Sequence, residues 1–191
     1  MSARLVILAS GDGSLAQAII DAQGSGVIDA VIVAVISDRP EVNVLGRAQE
    51  GGIPTYVQPM SKDRNDWNQK FFLLVESLRP DLVVSAGFMR ILSPEFVSHF
   101  KYINTHPALL PLFPGAHAVR DALEAGAKVT GATVHWVDAG VDTGEIIHQA
   151  EVEILPEDDE ASLHERIKIV ERGLIVATIQ ELLPTLESRH A

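Results

Sequence analysis

The sequence predicts an α/β fold: a doubly wound, mostly parallel sheet with helices on both faces, and an added antiparallel strand pair near the C-terminal part. Three observations predict it. The first half repeats one grammar, a short β-branched run, a turn rich in Gly, Asp or Pro, and a longer stretch with helical spacing, which is the signature of βαβ units. Its strands are continuously apolar, as strands buried on both faces must be. After Pro114 the grammar changes, and two β-rich runs follow one another with only a loop between them, which suits antiparallel pairing.

Leu5 to Ala9 reads as a buried strand, Ser10 to Gly13 as its turn, and Leu15, Ile19 and Ile20 as the core face of the first helix. Val31 to Ile36, the longest apolar run, is the second strand. A helix near Val42 to Gln49, a short strand at Thr55 to Val57 and a helix from about Lys62 to Leu78 follow, the last stopped by Pro80. Asp81 to Ser85 is the fourth strand, Pro94 opens a short helix, Lys101 to Thr105 is the fifth strand, and His117 opens another helix. Lys128 to Asp138 and Glu145 to Ile154 form the antiparallel pair. The final helix, about Glu160 to Leu183, carries Leu163, Ile167, Val170, Leu174, Ala177 and Leu182 at helical spacing and ends at Pro184; its Ser162-x-x-Glu165 fits either a capping box or charges that solvate a face. With no repeat, linker or low-complexity segment, residues 1–191 are expected to form a single domain.

Composition narrows the function. A chain of 191 residues with 47% hydrophobic residues can bury roughly 70% of its unfolded surface, so it needs neither disulfides nor a structural metal. Zero cysteines exclude a thiolate zinc site, an iron–sulfur cluster and a cysteine nucleophile. A net charge of −11 disfavours nucleic acid as a partner, because counterion release needs a dense cationic face. Any anionic small ligand must be held by a local device. No stretch approaches the ~20 apolar residues of a membrane span, and Met1-Ser2-Ala3-Arg4 leads straight into a strand, so a cytoplasmic protein without a membrane partner is expected.

One such device is Ser10-Gly11-Asp12-Gly13-Ser14, which joins a strand to a helix and so aims free amide groups and a positive helix end at one point. Gly11-x-Gly13-x-x-Ala16 also meets the relaxed dinucleotide fingerprint, with Asp38 as a ribose acceptor, and a tight strand-to-helix turn wants glycine in any case. Asn104 and His106 lie two apart at the end of a strand, so both project from one face at the carboxyl edge where open α/β sheets place ligands. A carboxamide beside an imidazole suits stabilising an oxyanion and then protonating it, as acyl transfer requires. Asp142, flanked by Gly140 and Gly144, can approach another group closely, and a carboxylate beside His106 would favour the imidazolium and fix its orientation. Asp138 and Asp142 are equally compatible with ordinary turn roles.

His106, His117, His135 and Asp142 lack the short spacing of a metal site, so no metal is expected. His135 then reads as a core or rim residue, and His99, His148, His164 and His190 as surface residues. Gly87 to Leu92 is an apolar loop containing Arg90, fit either to hold a flat heterocycle or to pad the core.

Taken in order, Ser10-Gly11-Asp12-Gly13-Ser14, Ala86-Gly87-Phe88-Met89-Arg90-Ile91-Leu92, Asn104-Thr105-His106-Pro107-Ala108-Leu109-Leu110-Pro111 and Asp142-Thr143-Gly144 resemble the phosphoribosylglycinamide formyltransferases of the folate-dependent formyltransferase family, over nearly the whole chain. The resemblance implies transfer of a formyl group from 10-formyltetrahydrofolate to the amine of glycinamide ribonucleotide in de novo purine biosynthesis. It implies small-molecule substrates, a folate cosubstrate and no permanently bound cofactor, in a monomer or homodimer. By the same resemblance Asn104, His106 and Asp142 are catalytic, while Gly11, Gly13, Ser14, Leu15, Lys168 and Glu171 bind the ribonucleotide. Arg64, Met89, Arg90, Ile91, Leu92 and Asn104 bind the folate, with the Ala139 to Gly144 loop closing the slot.

Two departures stand out: Leu15 where the family often has Asn, which removes a side-chain contact to phosphate, and Glu145 where Pro is frequent. Hydrolysis of the folate donor and a dinucleotide-binding oxidoreductase are the alternatives the sequence leaves open.

Overall fold

Every strand expected from the sequence forms, with ends displaced by no more than two residues. The computed structural model describes residues 2–186, and His190 lies outside them. The elements are β1 (Ala3–Leu8), α1 (Ser14–Gly24), β2 (Ala30–Ser37), α2 (Asn43–Glu50), β3 (Thr55–Val57), α3 (Arg64–Leu78) and β4 (Leu82–Ser85). Then come α4 (Pro94–His99), β5 (Tyr102–His106), α5 (Ala118–Glu124), β6 (Val129–Trp136), β7 (Ile146–Glu153) and α6 (Glu160–Leu182), which a 3-10 turn at Leu183–Thr185 ends.

The strands form one seven-stranded sheet in the order β3-β2-β1-β4-β5-β6-β7. Pairings among β1 to β5 are parallel, and β6 and β7 add antiparallel. The chain winds outward from β1 to β3, returns to β4 and winds the other way. The junction of β1 and β4 is therefore the switch point at which such sheets leave a crevice for ligands.

Alternate residues of each strand feed opposite layers, which is why the central strands are apolar throughout. Leu5 and Ile7 pack with α1, α2 and α6 through Ile19, Val44 and Ile175. Val6 and Leu8 pack with α3 and α4 through Trp67, Phe71 and Phe96. A smaller core under α5 and α6 gathers Val119, Ala132, Val152, Leu163 and Ile167.

The capping box of the last helix is shifted from the sequence expectation. Asp159, with extended backbone, accepts from the Ser162 amide at 2.8 Å, and Ser162 Oγ accepts from the Asp159 amide at 3.1 Å. Ser162 is already the third helical residue, so it answers the cap, while Glu165 pairs with Lys168 at 2.7 Å. Asp63 and Ser93 cap α3 and α4 by accepting from first-turn amides, whereas α1 has neither a side-chain cap nor an acidic residue in its first turn.

Candidate active site

The uncapped end of α1 faces the turn after β1. Gly13 adopts φ 80°, a left-handed conformation that costs glycine little, and a Cβ there would collide with Val44. The amides of Ser14, Leu15 and Ala16 precede the first intrahelical donor, Gln17, and so remain available to an anion. Leu15 turns its side chain toward the core, which leaves its backbone N–H as its means of touching a ligand. The Asp12 carboxylate accepts from Asn43 at 3.0 Å and from Arg47 at 3.2 Å. The Asn43 amide, then the Arg47 and Lys168 charges, hold it below the usual carboxylate range.

Helix α6 packs across α1 and carries the two residues expected beside this turn. Lys168 bonds Glu165 and also acts electrostatically on Asp12. Glu171 is buried, and desolvation pushes its carboxyl up to about 7 against the pull of Lys168 and Arg172. Beside them a groove of about 530 Å³ runs between α1, α2 and α6, lined in part by Ser14, Arg47 and Arg172.

On β5, Asn104 and His106 project from the same face, as their spacing predicts. The antiparallel register sets His135 directly opposite Asn104 and Thr133 opposite His106. Because β6 runs against β5, the loop after it leaves near Tyr102 and must fold back over the sheet face to reach His106. It does so through a left-handed Asp142, φ 55°, and through Gly144, where a Cβ would collide with the Trp136 carbonyl. Asp138 accepts from Gly140 N at 3.0 Å and Thr143 Oγ1 at 2.7 Å, and so serves as the turn former of the pair.

Asp142 is the carboxylate delivered to the histidines. Its Oδ2 lies 3.4 Å from His106 Nδ1 and accepts from Gly115 N at 2.8 Å, and its Oδ1 lies 3.6 Å from His135 Nε2. His135, with help from the Gly115 amide and the His106 charge, holds the Asp142 carboxyl below the usual range. His106 Nε2 meets the Phe113 carbonyl at 2.8 Å, so the charged ring has an acceptor for both of its protons.

His135 also joins this cluster, a neighbour that the sequence does not single out. It is buried, as a core histidine is expected to be, and its Nε2 stands 3.3 Å from Asn104 Nδ2 as well as beside Asp142. Its Nδ1 donates to the Trp136 carbonyl at 2.9 Å. The neutral ring therefore accepts from the Asn104 amide, and the charged ring donates to Asp142. Only the strand register could have revealed this. Among the described residues no group of three or more His, Asp or Glu side chains is placed to hold a metal ion.

The loop after β4 divides between the two roles considered for it. Phe88 and Leu92 are buried in the core, while Met89 and Ile91 are each 65% exposed. Arg64 donates to the Ile91 carbonyl and lies 4.9 Å over the Trp67 ring, which places it at this loop. The Arg90 side chain turns inward and its Nε donates to Asp38 Oδ2 at 2.6 Å. Asp38 Oδ1 accepts from Ser10 Oγ, also at 2.6 Å, and its side chain is 0% exposed. Both carboxylate oxygens are engaged inside the protein, so Asp38 cannot serve as the ribose acceptor of a dinucleotide site.

A family model described as formyl transferase matches residues 3–179. A phosphoribosylglycinamide formyltransferase of Mycobacterium tuberculosis is 51% identical over 184 residues, covering 94% of this chain and 85% of that protein. The phosphoribosylglycinamide formyltransferase of Escherichia coli is 40% identical, covering 89% of this chain and 82% of its own. The crystal structure of glycinamide ribonucleotide transformylase 1 from Symbiobacterium toebii superposes with a TM-score of 0.93 at 36% identity, over 96% of this chain and 89% of that one. The chain belongs to the formyl transferase family.

Proposed function

We propose that this enzyme transfers the formyl group of 10-formyltetrahydrofolate to the amine of glycinamide ribonucleotide, releasing tetrahydrofolate, as a step of purine biosynthesis in the cytoplasm. The observation that carries this reading is the convergence of Asn104, His106 and Asp142, brought from a parallel strand and a folded-back loop. Both substrates are small molecules, and the folate is consumed as a cosubstrate rather than held as a resident cofactor.

The neutral amine attacks the formyl carbon, a C–N bond forms, and the carbonyl electron pair moves onto oxygen. The Asn104 amide and a His106 N–H stabilise that oxyanion. Phe113 accepts the same Nε2 proton, so entry of the formyl oxygen exchanges one acceptor for another. Asp142 supports the imidazolium and passes the proton lost by the attacking nitrogen, through water, toward N10 of the folate. Collapse of the intermediate breaks the bond from carbon to N10.

The amides of Gly13, Ser14 and Leu15 bind the phosphate, with Gly11 allowing close approach and Lys168 adding charge. Glu171, near neutrality, receives the glycinamide amine. Exposed Met89 and Ile91, with the backbone through Arg90 and Leu92, line the pterin slot, and Arg64 faces the carboxylate tail of the folate.

A formyl-transfer assay comparing glycinamide ribonucleotide with buffer tests the reading. Formylglycinamide ribonucleotide and tetrahydrofolate are expected in equal amounts, only with the acceptor present. Donor consumption independent of acceptor would assign hydrolysis instead, and saturable binding of NAD would support an oxidoreductase.

A further inference from the structure

We propose that Asp38 is a positioning residue for this reaction: by joining Ser10 to Arg90 it fixes the acceptor turn against the donor loop, so that filling one substrate site tightens the other. The inference rests on the formyl-transfer reading above.

The contacts form a closed ring. Asp38 accepts from Ser10 Oγ and from Arg90 Nε at 2.6 Å each, and Ser10 Oγ accepts in turn from the Met89 amide at 2.9 Å. Ser10 N also donates to the Gly87 carbonyl at 3.1 Å. Its members come from the carboxyl ends of β1, β2 and β4, which are neighbours in the sheet at the switch point. Ser10 directly precedes the Gly11 to Gly13 turn, and Arg90 lies between Met89 and Ile91. Each ligand-facing segment is thus one residue from the ring, with no flexible linker between.

Stability does not account for this arrangement. The Asp38 carboxylate is fully buried, and the desolvation of such an ion offsets most of what pairing returns. What a buried pair with two short charge-assisted bonds supplies is geometry. The two carboxylate oxygens face different loops, so displacing either partner disturbs the other, which is how two sites come to share a coupling free energy.

Calorimetric titration with glycinamide ribonucleotide and tetrahydrofolate, an unreactive pair, measures the coupling. Each is titrated alone and with the other saturating. In the unaltered protein the ribonucleotide is expected to tighten tetrahydrofolate about 5- to 50-fold. In Asp38→Asn, which keeps shape but loses the charge that holds Arg90, that factor is expected to fall to within about twofold of unity. Single-ligand affinities change much less, and thermal unfolding confirms the fold.

Arg90→Gln removes the same contact from a side chain about a third exposed, and is expected to lose the coupling likewise; it decides the matter should Asp38→Asn not fold. Undiminished coupling in a folded variant, or none in the unaltered protein, overturns the proposal while leaving formyl transfer intact. Failure of the unaltered protein to bind either ligand overturns both readings.

Discussion

Asp142 performs three tasks with one carboxylate: it faces His106, faces His135 and accepts from the Gly115 amide. Asp142→Asn keeps an acceptor for Gly115 but removes the charge opposite the histidines. Turnover is expected to fall about 10²- to 10⁴-fold, the range set by losing general acid–base assistance, with both KM values changed little. Steady-state kinetics with each substrate varied checks this, and undiminished turnover would remove Asp142 from the reaction. Glu171 makes a complementary case, because its carboxyl is raised rather than lowered. The folded state retains a proton that the unfolded chain releases near 4.5, so the stability this group contributes is lost as pH rises from there to about 7. Glu171→Gln carries no such charge. Its melting temperature relative to the unaltered protein is therefore expected to rise between pH 5 and pH 8, while its KM for the ribonucleotide increases. Thermal melts at both values and initial-rate measurements check the two halves separately; a pH-independent difference would place the carboxyl outside the buried site.

At the scale of elements, the helix termini divide the labour. Helices α3, α4 and α6 have side-chain caps from Asp63, Ser93 and Asp159, whereas α1, α2 and α5 have none, and of these α1 opens directly from the glycine turn. Helix α2 buttresses that turn, since the Val44 amide donates to the Gly11 carbonyl at 3.3 Å and Arg47 Nε to the Asp12 carbonyl at 2.9 Å. Gly13→Ala introduces a Cβ against Val44 in a left-handed backbone. The strain is expected to cost about 1–3 kcal/mol and to raise the ribonucleotide KM more than the folate KM. Denaturant unfolding and initial rates measure the two effects, and an unchanged ribonucleotide KM would remove the turn from phosphate binding. This turn was legible because its chemistry is local: only a few residue types adopt such a backbone, and they are adjacent in sequence. The capping box sits three residues before the Ser162-x-x-Glu165 pattern for a related reason. The patterns Ser162-x-x-Glu165 and Asp159-x-x-Ser162 are both admissible, and the entry angle of the chain chooses between them.

For the whole molecule, a net charge of −11 is compatible with the anionic substrates proposed above, because amide groups and a few placed cations act locally. The sheet order puts the ends of β1 and β4 side by side, and with them the glycine turn and the loop after β4, the segments proposed to bind acceptor and donor. The sequence by itself determined the strand and helix positions, the antiparallel addition, the glycine turn and the shared face of Asn104 and His106, since each follows from periodicity or backbone chemistry within a few residues. Only the tertiary structure decided how the loop folds back to bring Asp142 to both histidines, that His135 stands opposite Asn104, that Asp38 is enclosed by Ser10 and Arg90, and that Glu171 is buried enough to hold its proton. Those outcomes depend on strand register, on a loop folding back over a sheet and on desolvation, and each is set by segments far apart in the chain whose pairing no local pattern specifies.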